Sequence, residues 1–162
     1  MKSDPRKDLI TALQTVQSDR HKLVILLGKF GSGKTAILKQ TAIEIDGVYL
    51  NLNLELSERL LSIPISHYRD GTTVHQVIDE LCDEISKGKR PLLVDNLELL
   101  FSPELGKINP IDTFKRISRE RPVAIALPAH RQGTLAIYGS SGHDDYFTMP
   151  LEEYTVIEIS EE

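Results

Sequence analysis

The chain has one cysteine, Cys82, in 162 residues. A single thiol makes no intrachain disulfide and no multi-cysteine zinc site, so cysteine usage points to a reducing intracellular setting. No apolar run approaches the roughly 18 residues of a membrane span. The opening MKSDPRKD also lacks the apolar stretch of a secretory signal. The expectation is a cytoplasmic protein without membrane contact. Positive charge is not in excess: 19 Lys and Arg stand against 24 Asp and Glu, a net charge of −5. That balance excludes a general polyanion binder, though not a local basic patch. There is no internal repeat, low-complexity tract or linker, and the whole of 1–162 reads as one globular domain.

What charge there is lies unevenly. Residues 1–40 hold eight basic and three acidic side chains, while the remainder holds 11 basic and 21 acidic. The positive quarter surrounds a glycine-rich segment, which suits a phosphate ligand. Any direct DNA contact is assigned to this same quarter, with affinity falling steeply with salt.

Hydrophobic patterning alternates helices with strands. Asp4 as N-cap and Pro5 at the first helical position open a helix carrying Leu9, Ile10, Leu13 and Val16. KLVILL, 22–27, is a continuous apolar run, as a parallel strand covered on both faces requires. Ile37, Leu38, Ala42 and Ile45 share a helix face that closes at Asp46-Gly47. VYLNLNL, 48–54, alternates with period two and is predicted as a strand, with LSERLLSIP after it a short helix ended by Pro64. Thr73 and Gln76 form a capping box before the stripe Val74, Val77, Ile78, Leu81 and Ile85. PLLVD, 91–95, is the third strand, Asn109-Pro110 starts a helix, and VAIAL, 123–127, is the fourth strand. LAIY and TVIEI are predicted as strands, and the sheet is expected to carry an antiparallel edge near the C-terminus. The fold class is α/β: a three-layer sandwich with a mainly parallel sheet and, with G-x-x-x-x-G-K-[ST] in GKFGSGKT between the first strand and the helix after it, a P-loop NTPase of AAA+-like core without a helical lid.

The chemistry is carried by GKFGSGKT, where Gly28, Gly33, Lys34 and Thr35 satisfy G-x-x-x-x-G-K-[ST] between a buried strand and a helix. Glycines let the loop turn its N–H groups onto a phosphate, and the helix adds its unsatisfied amides and positive end. Gly31 and Ser32 belong to the same cradle. Lys34 is placed on the β- and γ-phosphates and Thr35 on Mg²⁺. The metal needs a carboxylate, and Asp95 at the end of LLVD supplies it at the strand edge where such sheets bind ligands.

The catalytic base is less defined, because Asn96 follows Asp95 where many such ATPases carry a glutamate. Glu98 and Glu55 are the two candidates, each also readable as a surface or capping carboxylate. His130, just past the fourth strand, is a candidate sensor of the γ-phosphate. Within the cluster Lys115, Arg116, Arg119 and Arg121, Arg119 is a candidate arginine finger for a neighbouring subunit; the alternative is a solvated helix end. His143, Asp144 and Asp145 form an exposed turn rather than a metal site, and Cys82 is a packing residue. No N-K-x-D occurs and 95–98 is not D-x-x-G, so adenine is the expected base and ATP the ligand.

Together with YLNLN, LLVDNLELLF and RPVAIALPAHRQGTLAIYG, the glycine motif resembles the BrxF family, small P-loop proteins of bacterial BREX phage-exclusion systems. The resemblance runs nearly end to end. It implies an ATP-binding accessory component of an antiviral complex, with other protein subunits, and a possible second copy of the chain, as partners. Two functions follow: a Mg²⁺-dependent ATPase, or a module in which bound ATP orders a docking surface with little turnover.

Overall fold

The computed structural model describes residues 4–67, 72–87, 89–139, 142 and 146–159. His143, Asp144 and Asp145 lie outside them. Five parallel strands form the central sheet in the order β2-β3-β4-β1-β8: β1 (Leu23–Leu27), β2 (Val48–Asn51), β3 (Leu92–Asp95), β4 (Val123–Leu127) and β8 (Thr155–Glu158). Every residue of β1, β3 and β4 is buried. Their unbroken apolar runs are what two covered faces demand.

Period-two geometry then divides the side chains between two cores. Val24, Leu26, Leu93, Ala124 and Ala126 face α1 (Pro5–Thr15) and α2 (Lys34–Ile45). Ile25, Leu27, Leu92, Val94, Ile125 and Leu127 face the layer of α3 (Leu52–Leu60), α4 (Thr72–Ile85) and α5 (Pro110–Ile117). This is the three-layer α/β arrangement expected from the sequence.

Three expectations are corrected. The strand predicted over 48–54 stops at Asn51, whose side chain accepts a hydrogen bond from Leu54 N and caps α3. Burying Leu52, Leu56 and Leu60 on one helix face contributes roughly 2 kcal/mol each and the cap about 1 kcal/mol. Strand propensity, spanning about 1 kcal/mol per residue, cannot offset that. The helix predicted to open behind a Thr73 cap already includes Thr72, so Thr73 lies inside its first turn rather than at the cap. The antiparallel strands do not edge the main sheet. Instead β5 (His130–Gln132), β6 (Leu135–Tyr138) and β7 (Phe147–Pro150) make a separate meander. It is anchored to the core by Tyr138 stacked on Phe101, ring centres 3.9 Å apart, with Phe147 edge-on at 5.5 Å. TVIEI, assigned to a strand without a partner, pairs parallel to β1.

The other caps are as read: Asp4 accepts from Arg6 N, and Asn109 accepts from Ile111 N and Asp112 N. Among the described residues no helix is long and apolar enough to cross a membrane.

Cys82 sits fully buried on α4, and burial pushes its thiol up to about 12. At pH 8 the native protein should therefore leave Cys82 unmodified by an aromatic disulfide reagent, whereas guanidinium should expose one reactive thiol per chain. Prompt labelling of the native state would contradict the packing of α4.

Candidate nucleotide site

The chain leaves β1 for β2 at the far edge, returns strand by strand to β4, then crosses to β8 on the other side of β1. Connections that diverge in this way open a crevice at the carboxyl ends of the strands. A cavity of about 520 Å³ lies there, lined by the glycine loop, the start of α2, Asp95, Asn96 and Glu98.

The loop from Gly28 to Gly33 joins β1 to α2. Gly31 and Gly33 have φ of 78° and 97°, and nothing lies within 4 Å of where a Cβ would stand at either. Glycine is required there by the backbone conformation rather than by crowding. Gly33 is the N-cap residue of α2 and offers no side-chain cap, so the first amides of the helix face the cavity mouth with the positive end of its dipole. Lys34 folds back into the loop. Its Nζ donates to Gly28 O at 2.7 Å, Lys29 O at 2.6 Å and Ser32 Oγ at 3.3 Å. Burial pulls its pKa below the usual lysine value, opposed by the charges of Asp95 and Glu98.

Asp95 gathers three donors. Thr35 Oγ1 donates to Oδ2 at 2.6 Å, Tyr49 OH donates to the same oxygen at 2.8 Å, and Asn96 N donates to Oδ1 at 3.0 Å. Tyr49 pairs with Leu93 in the β2–β3 register, so both belong to the sheet face under α2, as does Asp95 two residues on. Burial first, then the hydrogen bond and charge of Asp95, hold the Tyr49 proton on above the ordinary phenol range. The Lys39 ammonium lies 5.2 Å from the Tyr49 ring centre.

Glu98 is also held. Asn53 Nδ2 donates to Glu98 Oε2 at 2.8 Å, while Asn53 Oδ1 accepts from Leu99 N at 2.9 Å and Asn53 N donates to Asn96 O at 3.0 Å. Asn96 has φ of 58°, the left-handed turn that brings Glu98 back over the cavity.

Of the candidates from sequence, the cavity unites Gly31, Gly33, Lys34, Thr35, Asp95 and Glu98, with Gly28 and Ser32 engaged through Lys34. Glu55 does not line it, since the early start of α3 turns that residue into a helix. His130 is exposed on β5 and faces a smaller cavity beside Gly28, Lys29 and Glu158. Arg119 lies at the opposite edge of the sheet, beside His21 and Lys22, and does not reach the loop of its own chain. Sequence reasoning missed Tyr49 and Asn53, which touch Asp95 and Glu98 only through the pairing of β2 with β3.

No family model matches the chain, and no curated protein matches it. Its fold is similar to that in the structure of C. elegans PCH-2, an AAA+ ATPase, with a TM-score of 0.51 and 18% identity. The match covers 99% of this chain and spans 44% of that one. At this identity the likeness is one of fold: an α/β architecture around a mainly parallel sheet.

Tyr49→Phe keeps the ring and deletes one hydroxyl donor from a charged acceptor. It should lower stability by about 1–2 kcal/mol in urea unfolding at pH 7; an unchanged midpoint would mean that the bond contributes nothing.

Proposed function

We propose that this chain binds ATP with Mg²⁺ in the cavity at the carboxyl edge of its sheet and hydrolyses it. The observation that carries the reading is the convergence of Lys34, Thr35 and Asp95 around an uncapped helix N-terminus.

The residues present fit both groups. Lys34 and the amides opening α2 would hold the terminal phosphates, where charged acceptors replace the neutral carbonyls that Lys34 now engages. Thr35 and Asp95 offer two hard oxygen donors 2.6 Å apart, the chemistry that Mg²⁺ prefers. When bound, the metal neutralises charge developing on the phosphate oxygens. Tyr49 keeps the Asp95 carboxylate oriented through the same oxygen that Thr35 touches. Glu98 acts as general base, taking a proton from water at the carboxylate oxygen that Asn53 does not hold.

A specific observation favours a second reading. Asn96, which has no acid–base chemistry, occupies the position after Asp95, and Glu98 is tied to Asn53. On that reading bound ATP orders a docking surface and turnover is incidental. In either case we assign the chain to a phage-exclusion complex of the BREX kind, on the sequence resemblance, with other protein subunits and a second copy of itself as the expected partners.

Lys34→Ala should abolish ATP binding. Glu98→Gln should leave binding intact while slowing Mg²⁺-dependent phosphate release by about 100-fold or more. Turnover insensitive to Glu98→Gln would remove Glu98 as the base, and tight binding without turnover in the parent protein would favour the docking module.

A further inference from the structure

The edge of the sheet opposite the nucleotide cavity carries its own charge pattern. The segment Arg20–Lys22 enters β1 there, and α5 with the turn after it supplies Lys115 and Arg119. The fold clamps these two segments together: Lys22 N donates to Ser118 O at 3.2 Å, Val123 N to Lys22 O at 2.8 Å, and Lys22 Nζ to Arg119 O at 3.3 Å. An open groove of about 480 Å³ lies between them, with Arg20, His21, Lys115 and Tyr154 on its walls.

The cations of this edge differ from their neighbours in having no carboxylate partner. Arg116 is paired with Asp79 at 2.7 Å and Arg121 with Asp83 at 2.9 Å. Among the described residues no carboxylate lies within ion-pair distance of Arg20, Lys22, Lys115 or Arg119. Arg20 and Lys115 line the groove together with Asp19 and Glu153, while Lys22 and Arg119 stand on the same two segments beside it, Arg119 against His21. His21 sits among these cations. Arg119 Nε donates to His21 Nε2 at 3.2 Å, which requires a neutral ring with its proton on Nδ1. Burial and then Lys115, Arg119 and Arg20 lower its pKa, against Glu153 alone. The Lys115 ammonium lies 5.8 Å from the Tyr154 ring centre.

We propose that this edge binds the phosphate backbone of nucleic acid irrespective of sequence. Four cations spread over two segments, two in the open groove and two beside it, match a chain of phosphates better than one compact anion, which needs donors converging on a point. The pattern also refines where the positive first quarter of the sequence acts. Lys34 and Lys39 line the nucleotide cavity, Arg6 pairs with Glu44, and Arg20 and Lys22 join this edge. The proposal goes beyond the nucleotide reading and stands without it, because the two surfaces lie at opposite ends of β1.

The test is fluorescence anisotropy of the full chain, without nucleotide, against a labelled 20-base-pair duplex of arbitrary sequence between 50 and 200 mM salt. Binding should weaken with salt at a log–log slope of about −2 to −4, as two to four phosphate contacts require. Arg20→Glu with Lys115→Glu should reduce affinity more than about tenfold at 50 mM salt. The gentler Arg20→Gln with Lys115→Gln, checked by thermal unfolding against the parent, should reduce the slope magnitude by about 2. ATP affinity should be the same in both pairs of variants as in the parent. Absence of binding at 50 mM salt, or affinity unmoved by the substitutions, would overturn the proposal. Poly-glutamate displacing the duplex as well as unlabelled DNA does, charge for charge, would overturn it in favour of an acidic protein surface.

Discussion

A single carboxylate ties the functional edge of this protein together. Asp95 ends a strand whose other residues are wholly apolar and buried, and its exposure is only 4%. A charge so placed is tolerated only when its lone pairs are satisfied. Here the donors come from three parts of the chain: the first turn of α2, the middle of β2, and the backbone just past β3. The bond from Thr35 fixes the start of α2 against the sheet and with it the turn of the glycine loop. The bond from Tyr49 fixes β2 at the same point. The polar geometry of the cavity thus follows from satisfying one buried acid.

The same requirement explains what could be read from sequence. GKFGSGKT and LLVD are local patterns, and each states its chemistry within a few residues. Their meeting also followed, because parallel strands of this kind present their carboxyl ends at one edge. Tyr49 and Asn53 were not legible, since each matters through a partner 45 or 46 residues away that only the β2–β3 register supplies. The misread strand over 48–54 had the same origin. Two templates fitted those residues, alternation at 48–54 and the four-residue spacing of Leu52, Leu56 and Leu60, and the Asn51 cap decided between them. Reading that spacing would have withdrawn Glu55 from the site. Likewise Arg116 and Arg119 look equivalent in sequence, yet α4 places Asp79 beside one and leaves the other facing His21.

The parallel sheet gives the molecule two chemically distinct ends. At the carboxyl ends of the strands, helix dipole, glycine turns and hard oxygen donors meet in one cavity. At the amino ends, cations from two segments, without a carboxylate partner among the described residues, stand in and beside an open groove. β1 is the element common to both: Lys22 precedes it and Gly28 follows it, and its five buried residues form the centre of the sheet. Such a strand is held on both faces and both sides, so its two ends keep a fixed spacing while the loops beyond them are free to differ in function.

The most direct test of the account is a calorimetric titration of ATP into the protein, once with Mg²⁺ and once with the metal chelated. If Thr35 and Asp95 hold the metal beside Lys34, ATP binds at one site per chain, and its affinity falls by about tenfold or more without Mg²⁺, a difference of about 1.4 kcal/mol. Absence of binding at millimolar ATP, or an affinity indifferent to Mg²⁺, would contradict the assignment of Asp95 and Thr35.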